Sequence, residues 1–288
     1  MIHAATIGFF DGVHKGHRFL FNELRCVAAD NWCEPLIVTF AEHPRSVLQQ
    51  TPVPLLTTPD ERRTLLEKEG KVLMLPFPDY RHLTAAEFLH FLRTQHNVRI
   101  LLMGYDHRFG CDRLTDLEAY REAAMRESIA VERMPQYIET GLHISSTAVR
   151  NALRMGDTAR AEQLLERPYE LHGNVVHGKG LGRQLGFPTA NLSLPEDKLI
   201  PREGVYAAQV SLPNDIEQPL PAILNIGTNP TVGDTRLSVE VHIPDFHADL
   251  YDKQLAVRVL RHLRDEQRFG DIAQLKQQIQ NDIKLLQQ

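Results

Sequence analysis

The sequence predicts an α/β domain with a doubly wound parallel sheet, followed by a small antiparallel β-barrel domain with a C-terminal helix. Up to about Leu153, short apolar runs alternate with helical patterns, which is typical of parallel strands joined by right-handed crossovers. After Gly156, many strand-like segments are separated by glycine and proline, as in an antiparallel barrel. The tail from Asp271 repeats apolar residues at steps of three and four, which indicates an amphipathic helix.

The first half contains apolar runs with the length and composition of buried strands. They are AATIG, PLIVTF, KVLMLPF, RILLMG and IAVERM, at residues 4–8, 35–40, 71–77, 99–104 and 129–134. Helical patterns lie between them, for example at 18–30 and 87–95. Helix starts are marked by capping boxes, in which a Thr hydroxyl and a Glu carboxylate satisfy free backbone amides. The pairs are Thr58 with Glu61, Thr84 with Glu87, and Thr115 with Glu118.

The second half contains a segment, LSVEVHI at 237–243, that alternates as a half-buried strand does. We expect Val239, Val241 and Ile243 to face the core, opposite Ser238, Glu240 and His242. The predicted tail helix has one apolar stripe that could lie on the barrel, formed by Ile272, Leu275, Ile279, Ile283 and Leu286. We therefore divide the chain into a first domain at 1–155, a linker helix at 156–168, and a barrel domain with its C-terminal helix at 169–288.

The composition argues against several classes of protein. A chain of 288 residues with 42% hydrophobic residues is long enough for two domains with real cores. The net charge of -5 supplies no general basic field, so small phosphorylated ligands fit better than nucleic acid. Cys26, Cys33 and Cys111 fit neither a disulfide framework nor a zinc knuckle. The absence of a long apolar segment and of a signal-peptide pattern favours a cytoplasmic protein without membrane contact.

The stretch GFFDGVHKGH, residues 8–17, directly follows the first predicted strand. In an open parallel sheet, the first turn from strand to helix is a favoured place for phosphates. Gly8, Gly12 and Gly16 allow close approach of the backbone to a ligand, and the following helix offers unpaired N–H groups. His14 and His17 would project from neighbouring positions and donate to phosphate oxygens. This stretch is therefore the first candidate site.

The same stretch carries the H-x-G-H signature, which resembles the nucleotidylyltransferase superfamily. Its GxFDGVHxGH form is similar to that of prokaryotic bifunctional riboflavin kinase/FAD synthetases. Further segments resemble motifs of this family and follow in its order: VTFAEHP at 38–44, GYDHRFG at 104–110, ISSTAVR at 144–150, RPYELHGNVVHGKGLGRQLGFPTANL at 167–192, REGVYA at 202–207, NIGTNPT at 225–231 and VEVHI at 239–243. The resemblance covers essentially the whole chain, with His107 where the family commonly has Phe.

The resemblance implies an α/β nucleotidylyltransferase-like domain followed by a riboflavin kinase barrel. The barrel is expected to convert riboflavin and ATP to FMN and ADP, and the first domain to convert FMN and a second ATP to FAD and pyrophosphate. One alternative is a single-activity FMN adenylyltransferase with an inactive, flavin-binding barrel. An alternative from another class is a nucleotide-sensing or RNA-binding module, which the acidic net charge disfavours.

At the first site, His14 and His17 are expected to hold ATP phosphates and to stabilise the departing pyrophosphate. The same loop is expected to contact ATP through Gly8, Phe10, Asp11 and Gly16. A second predicted helix start supplies hydroxyls and free N–H groups to the ATP phosphates, through Ser145, Ser146, Thr147 and Arg150. Flavin contacts are expected, mainly by resemblance, from His43, Pro44, Gly104, Asp106 and Arg108.

The second candidate site combines a glycine-dense loop with the segment Pro188-Thr-Ala-Asn191. Residues two apart in an extended chain share a side, so Thr189 and Asn191 could converge on one Mg²⁺ ion. By resemblance, Glu240 is the base that accepts the proton of the ribityl 5'-hydroxyl. The loop over the phosphates is predicted to include Gly178, Lys179 and Gly180, with Arg183 as either a phosphate contact or a solvated residue.

Overall fold

A computed structural model describes residues 1–178, 180–212, 215–228 and 237–286 of the chain. The chain divides into two compact units, Met1–Ser146 and Thr147–Gln288. The division lies within a helix that begins at Ser146. The domain limits given above stay a prediction.

The first unit contains alternating strands and helices. Its strands are β1 (His3–Ile7), β2 (Glu34–Phe40), β3 (Lys71–Leu75), β4 (Val98–Met103) and β5 (Ala130–Arg133). Its helices are α1 (Lys15–Asp30), α2 (Pro44–Gln49), α3 (Pro59–Glu67), α4 (Phe77–Tyr80), α5 (Ala85–His96) and α6 (Leu117–Met125). The predicted strands of this half are confirmed.

The strands form one parallel sheet in the order β3-β2-β1-β4-β5, covered on both faces. Ala5 and Ile7 of β1 lie in one core cluster with Leu89 of α5, whereas Ala4 lies in the other cluster with Phe21 of α1. Because neighbouring strand residues point to opposite faces, each buried strand must be apolar at nearly every position. This explains the uninterrupted apolar runs in the sequence and confirms the doubly wound fold.

Two of the three predicted capping boxes are present. Thr58 accepts from the Glu61 N–H at 3.2 Å while the Glu61 carboxylate accepts from the Thr58 N–H at 2.9 Å, and Thr84 with Glu87 does the same. The third prediction is wrong, because α6 begins one residue later and its N-cap is Asp116, which accepts from the Ala119 N–H at 2.9 Å. An Asp carboxylate caps a helix as well as Thr and also interacts favourably with the helix dipole.

The second unit contains a closed antiparallel barrel in the order β10-β7-β6-β11-β8-β9. The strands are β6 (Tyr169–Val176), β7 (Ala190–Ser193), β8 (Gly204–Leu212), β9 (Asp215–Thr228), β10 (Leu237–His242) and β11 (Gln254–Arg264). The helices are α7 (Ser146–Met155), which spans the division, α8 (Thr158–Leu165), α9 (Leu181–Leu185) and α10 (Ile272–Leu285). Helix α8 lies in the predicted linker segment and contacts β6 and β11.

Strand β10 follows the predicted alternation with one exception. Val239 and Val241 are buried and Glu240 is half-buried, but His242 is also buried. Its Nδ1 lies 2.8 Å from the carbonyl oxygen of Pro188, which gives the buried imidazole a partner. The polar positions of the strand are therefore not all on the solvent side.

Helix α10 forms as predicted, but its most buried residue is charged. Asp282 is 2% exposed and accepts from Arg264 of β11, with Nη2 to Oδ2 at 2.8 Å and Nε to Oδ1 at 3.0 Å. The Gln278 side chain also donates to Asp282 Oδ1, at 2.8 Å. The apolar stripe is only partly covered, since Ile272 is exposed. A two-pronged ion pair thus attaches the helix to the barrel, in addition to the apolar contacts expected from the sequence.

Candidate active sites

The first site lies where the sheet of the first unit changes winding direction. Strands β1 and β4 are adjacent and parallel, but β1 is followed along the chain by β2 on one side and β4 by β5 on the other. The crevice outside the carboxyl ends of such a strand pair is the usual ligand position in open α/β sheets. The loop at 8–14 follows β1 and the loop at 104–110 follows β4, so both predicted motifs border this crevice.

The two histidines are held against each other at the start of α1. His14 is the N-cap, and its side chain accepts from the His17 N–H at 3.4 Å. The two rings stack with centroids 3.6 Å apart and planes inclined by 18°. Burial, followed by the charge of His14, lowers the pKa of His17 well below its ordinary value. His17 is therefore held mainly in its neutral form, stacked on His14 beside a helix N-terminus.

One nitrogen of this pair is unsatisfied. His17 Nδ1 is buried and has no hydrogen-bond partner among the residues that the structure describes. A buried polar atom of this kind costs about 1–3 kcal/mol unless a ligand or water satisfies it. The Phe10 ring packs edge-on against His17, with centroids 5.2 Å apart, and fixes the ring on its other side.

The remaining residues of the loop support it from within. Phe10 adopts φ +56°, and a Cβ at Gly8 would overlap its ring, so a side chain at position 8 would displace Phe10. The Asp11 carboxylate is buried and accepts from the backbone N–H groups of Leu56 and Thr57, at 3.1 and 3.0 Å. The structure thus uses the Asp11 side chain to hold the loop, and its assignment to ATP stays a prediction. A Cβ at Gly16 would lie 3.3 Å from the His14 ring.

The predicted hydroxyl motif meets the same loop. Ser146 begins α7, and its hydroxyl donates to the backbone carbonyl of Asp11 at 2.9 Å. Ser145 Oγ lies 3.4 Å from His143 Nε2. Thr147 and Arg150 follow on α7, where Thr147 is exposed and Arg150 half-buried. The structure brings Ser146 to the histidine loop, and the assignment of this whole motif to phosphate stays a prediction.

The predicted flavin residues occupy the loops after β2 and β4. His43 caps α2, which begins at Pro44, and its ring packs edge-on against Phe9 with centroids 4.5 Å apart. Gly104 is half-buried, whereas Asp106 and Arg108 are exposed. These positions border the crevice, but no contact among the described residues assigns them to a flavin.

The sequence patterns gave no role to Arg62, which is completely buried. Its Nη2 donates to the carbonyl oxygens of Phe40 and Ala41, at 2.6 and 3.0 Å, and its guanidinium lies 4.0 Å from the centroid of the Phe9 ring. Arg62 thus fixes the loop that leads to His43. One signal is present in the sequence, since Arg62 lies four residues before the buried Leu66 and so shares the apolar face of α3.

The second site is a row of polar side chains across barrel strands. Asn191 of β7 lies directly opposite Glu240 of β10, so both side chains stand on the same face of the sheet. The hydroxyl of Thr189 donates to Glu240 Oε2 at 3.0 Å. Thr189, Asn191 and Glu240 are therefore brought together, as the sequence motifs required.

The glycine-dense loop closes on this row. A Cβ at Gly178 would overlap the Asn191 side chain, so only glycine permits this close approach. Gly180 has φ +69° and is the N-cap of α9. Lys179 lies outside the described residues. Arg183, on α9, lines a cavity next to Thr189.

That cavity has a volume of about 320 Å³ and lies beside the polar row. It is bordered by Pro188, Thr189 and Ala190 on one side and by the segment 246–251 after β10 on the other. Tyr251 at its margin stacks on His177, with ring centroids 3.9 Å apart. The combination of apolar walls and a few polar groups is typical of a site for a small organic ligand.

Among the described residues, no group of three or more His, Cys, Asp or Glu side chains is arranged to hold a metal ion. Their helices are all too short or too polar to cross a membrane.

The comparisons with known proteins match both halves of the chain. A family model for FAD synthetase matches residues 2–148, and one for riboflavin kinase matches residues 165–288. The bifunctional riboflavin kinase/FMN adenylyltransferase of Pseudomonas fluorescens is 39% identical over 284 residues, which is 97% of this chain and 90% of that protein. The protein of the same name from Escherichia coli (strain K12) is 39% identical over 282 residues, 96% of this chain and 89% of that protein.

One solved structure matches over nearly the full length. It is described as a macrolide-efflux protein from Streptococcus pneumoniae and aligns with a TM-score of 0.86 at 31% identity, covering 99% of this chain and 94% of that one. The likeness shows a shared fold, and the efflux description belongs to that protein alone.

These matches define the class as a two-domain transferase that uses ATP as co-substrate. The chain belongs to the family of bifunctional riboflavin kinase/FMN adenylyltransferases. The FAD synthetase region precedes the riboflavin kinase region, so the predicted family, the fold class and the order of the two activities are confirmed. The individual site residues stay predictions.

Proposed function

We propose that the barrel of this protein phosphorylates riboflavin to FMN with ATP, and that the first unit adenylylates FMN to FAD with a second ATP. The observation that carries the proposal is the register of the barrel, which sets Asn191 opposite Glu240 with the Thr189 hydroxyl 3.0 Å from the same carboxylate. A barrel that only binds flavin has no need for a carboxylate held in this way.

In the kinase reaction, the 5'-hydroxyl oxygen of riboflavin bonds to the γ-phosphorus of ATP as the bond from that phosphorus to the bridging β-oxygen breaks. Glu240 accepts the hydroxyl proton during this attack, and ADP leaves. The Thr189 hydroxyl holds Glu240 Oε2, which leaves the other carboxylate oxygen to face the substrate. General-base assistance of this kind typically contributes about 10²–10⁴-fold to a rate.

The donor set fits Mg²⁺. Thr189, directly before β7, and Asn191 within it present neutral oxygen atoms beside Glu240, and Mg²⁺ prefers oxygen ligands, of which phosphates and water supply most. The metal would neutralise charge on the transferring phosphoryl group.

The cavity beside the row is the best place for the nucleotide. It starts at the Thr189 side chain and continues along Val241, Ile243 and Tyr251, so a triphosphate at Thr189 would place the attached nucleoside in it. The glycine-dense loop lies over the same end of the row, where backbone must approach phosphate closely. Riboflavin would then approach Glu240 from the other side.

In the adenylyl transfer, a phosphate oxygen of FMN bonds to the α-phosphorus of ATP as the bond from that phosphorus to the bridging oxygen of pyrophosphate breaks. The nucleophile is already ionised at neutral pH, so positioning and charge neutralisation carry the rate. His14 and His17 would donate to the phosphates at the N-terminus of α1, and the unsatisfied nitrogen of His17 would gain a partner from the substrate or a bound water.

A direct test is product analysis of the purified protein given riboflavin, ATP and Mg²⁺. We expect FMN, FAD, ADP and pyrophosphate, and omission of Mg²⁺ should stop FMN formation. Formation of FAD only from supplied FMN would support the single-activity alternative. RNA binding without flavin turnover would contradict the whole proposal. We also propose that the protein acts in the cytoplasm on small molecules, without nucleic-acid or membrane partners.

A further inference from the structure

The polar row of the barrel extends beyond Glu240. On the side of β10 away from Asn191, Glu240 lies directly opposite Asn225 of β9. Directly opposed residues of neighbouring antiparallel strands have Cβ atoms about 5 Å apart on one face. Asn225 is half-buried, so the proposed base has a polar neighbour on β9 as well as on β7.

The Asn225 side chain has a carboxylate partner in Glu266. Its Nδ2 donates to Glu266 Oε1 at 3.4 Å. The same carboxylate lies against Gly227, two residues along β9, where a Cβ would overlap it. Only glycine at position 227 allows Glu266 to reach across the end of β9. Two independent contacts thus place the Glu266 carboxylate beside the row.

The two residues directly before Glu266 both form ion pairs within the second unit. Arg264 forms the two-pronged ion pair with Asp282 of α10. Asp265 accepts from Arg202 at 2.9 Å. Residues 264, 265 and 266 therefore each bind a different part of the second unit, and Glu266 is the one that contacts the polar row, through Asn225.

Electrostatics agree with this placement. Partial burial raises the pKa of Glu266 and the charges of Glu203 and Glu240 add to that rise, whereas the hydrogen bond from Asn225 and the charge of Arg264 oppose it. The charge of Glu240 is thus close enough to act on Glu266. The two carboxylates repel each other, and the charge of Arg264 offsets part of that repulsion.

We propose that Glu266 is a positioning residue for riboflavin phosphorylation, which acts by orienting the Asn225 amide beside Glu240. A carboxylate only accepts hydrogen bonds, so it selects the NH₂ end of the amide and turns the Asn225 carbonyl away from itself. That carbonyl is then an acceptor for a hydroxyl of the ribityl chain next to the one that reacts. The inference rests on the proposed kinase function of the barrel.

The test compares Glu266→Ala with Glu266→Gln in the full-length protein. The Gln carbonyl still accepts from Asn225, whereas Ala removes the contact. We expect Glu266→Ala to lower kcat for phosphorylation about 10–100-fold, the usual effect of losing a residue that orients an active-site group, with the KM for ATP unchanged. Glu266→Gln should restore kcat to within about threefold of the unchanged protein. The matched control is Glu203→Ala, since Glu203 acts on Glu266 only as a nearby charge.

The outcomes separate this inference from the proposed function. If the unchanged protein forms no FMN, the kinase proposal itself fails. If it forms FMN and Glu266→Ala keeps full kcat, Glu266 has no positioning role. If Gln is as slow as Ala, charge rather than orientation matters, and the inference is wrong. The melting temperature reports folding of the barrel, and adenylyl transfer from supplied FMN reports that the first unit is intact; both should be unchanged in Glu266→Ala and Glu266→Gln. The losses of kcat in Asn225→Ala and Glu266→Ala should not add up in the double variant. Such non-additivity would support a joint action of the two side chains.

Discussion

The two candidate sites hold their polar groups in different ways. In the first unit, the histidine pair sits on a loop and a helix N-terminus at the end of the sheet, and burial lowers the pKa of His17. In the barrel, Asn191, Glu240 and Asn225 stand on the strands themselves, and the register of β7, β10 and β9 sets their spacing. The first arrangement presents hydrogen-bond donors, and the second presents oxygen acceptors.

The difference agrees with the two proposed reactions. Transfer to an ionised phosphate needs donors that neutralise charge, and no proton has to be removed from the nucleophile. Transfer to a hydroxyl needs an acceptor for its proton at a fixed distance. A strand face is well suited to the second task because a neighbouring strand holds each side chain in line. The comparison predicts that each site can be lost without the other.

The largest effect is expected from Asn191→Ala. The variant removes one oxygen ligand from the proposed Mg²⁺ position but leaves Glu240 and the cavity in place. We expect phosphorylation of riboflavin to fall about a thousandfold, which corresponds to several kcal/mol of lost charge stabilisation. Rates are measured by chromatography of FMN and FAD. FAD formation from supplied FMN serves as the internal control and should be unaffected.

The next effect is expected from His17→Ala. It removes the ring that stacks on His14 and packs against Phe10, and with it one donor to the departing pyrophosphate. We expect adenylyl transfer to fall about 10²–10³-fold, as for the loss of one preorganised donor, so that FMN accumulates. The matched control is Cys26→Ala on the exposed side of α1. Equal loss of both activities in His17→Ala would contradict the assignment of one reaction to each site.

The sequence predicted most of the fold because each half has a clear local signal. The strands of the parallel sheet are buried on both faces and so read as continuous apolar runs, as at β2 and β4. The strand β10 was recognised by its alternation. The start of α6 was missed by one residue, since Thr115 and Asp116 are adjacent cap formers and only the backbone decides between them.

For the sites, the sequence predicted candidate residues but not the contacts among them. The types and spacing of His14 and His17, and of Thr189 and Asn191 together with Glu240, led to the prediction of phosphate and metal chemistry, which stays a prediction. The register that puts Glu240 opposite Asn191 arises from barrel closure, which no local pattern encodes. Arg62 and Asp282 were also missed, because buried charges are set by partners distant in sequence.

A moderate effect is expected from Asp282→Ala in the barrel unit. The variant leaves the Arg264 guanidinium without its carboxylate, at a position where the Arg264 side chain is 17% exposed. We expect the unfolding free energy to fall by about 3 kcal/mol, the lower end for breaking a buried ion pair. Urea unfolding measures it, with Asn281→Ala on the exposed side as control, which should change stability by less than about 0.5 kcal/mol. An unchanged unfolding free energy in Asp282→Ala would show that the apolar stripe alone holds α10.

The smallest predicted effect is the loss of stability at low pH, which we expect to differ between the two units. Burial lowers the pKa of His107 in the first unit from 6.5 to about 4. The hydrogen bond from His172, followed by that from Arg258, lowers the pKa of Glu170 in the barrel from 4.5 to about 2. The folded state therefore favours the neutral form of His107 and the charged form of Glu170.

The two groups act over different pH ranges. Above pH 6.5, His107 is neutral in both states, and as the pH falls toward 4 the unfolded chain takes up the proton first and the first unit loses stability. The stabilisation from Glu170 is complete above pH 4.5 and is lost only as the pH falls toward 2.

His107→Phe tests this contrast because it removes the titrating ring and keeps an aromatic side chain against Phe109. As the pH falls from 7 to 4.5, the unfolding free energy of His107→Phe should rise by about 1–2 kcal/mol relative to that of the unchanged protein. This range allows for solvent screening, because His107 is half-exposed. The difference in unfolding free energy between Glu170→Gln and the unchanged protein should be constant over that range and should shrink below pH 4.5. Denaturant unfolding at a series of pH values measures both. If the stability difference between His107→Phe and the unchanged protein did not change with pH, the His107 ring would be in contact with water in the folded state. His107 would then not make the first unit sensitive to acid.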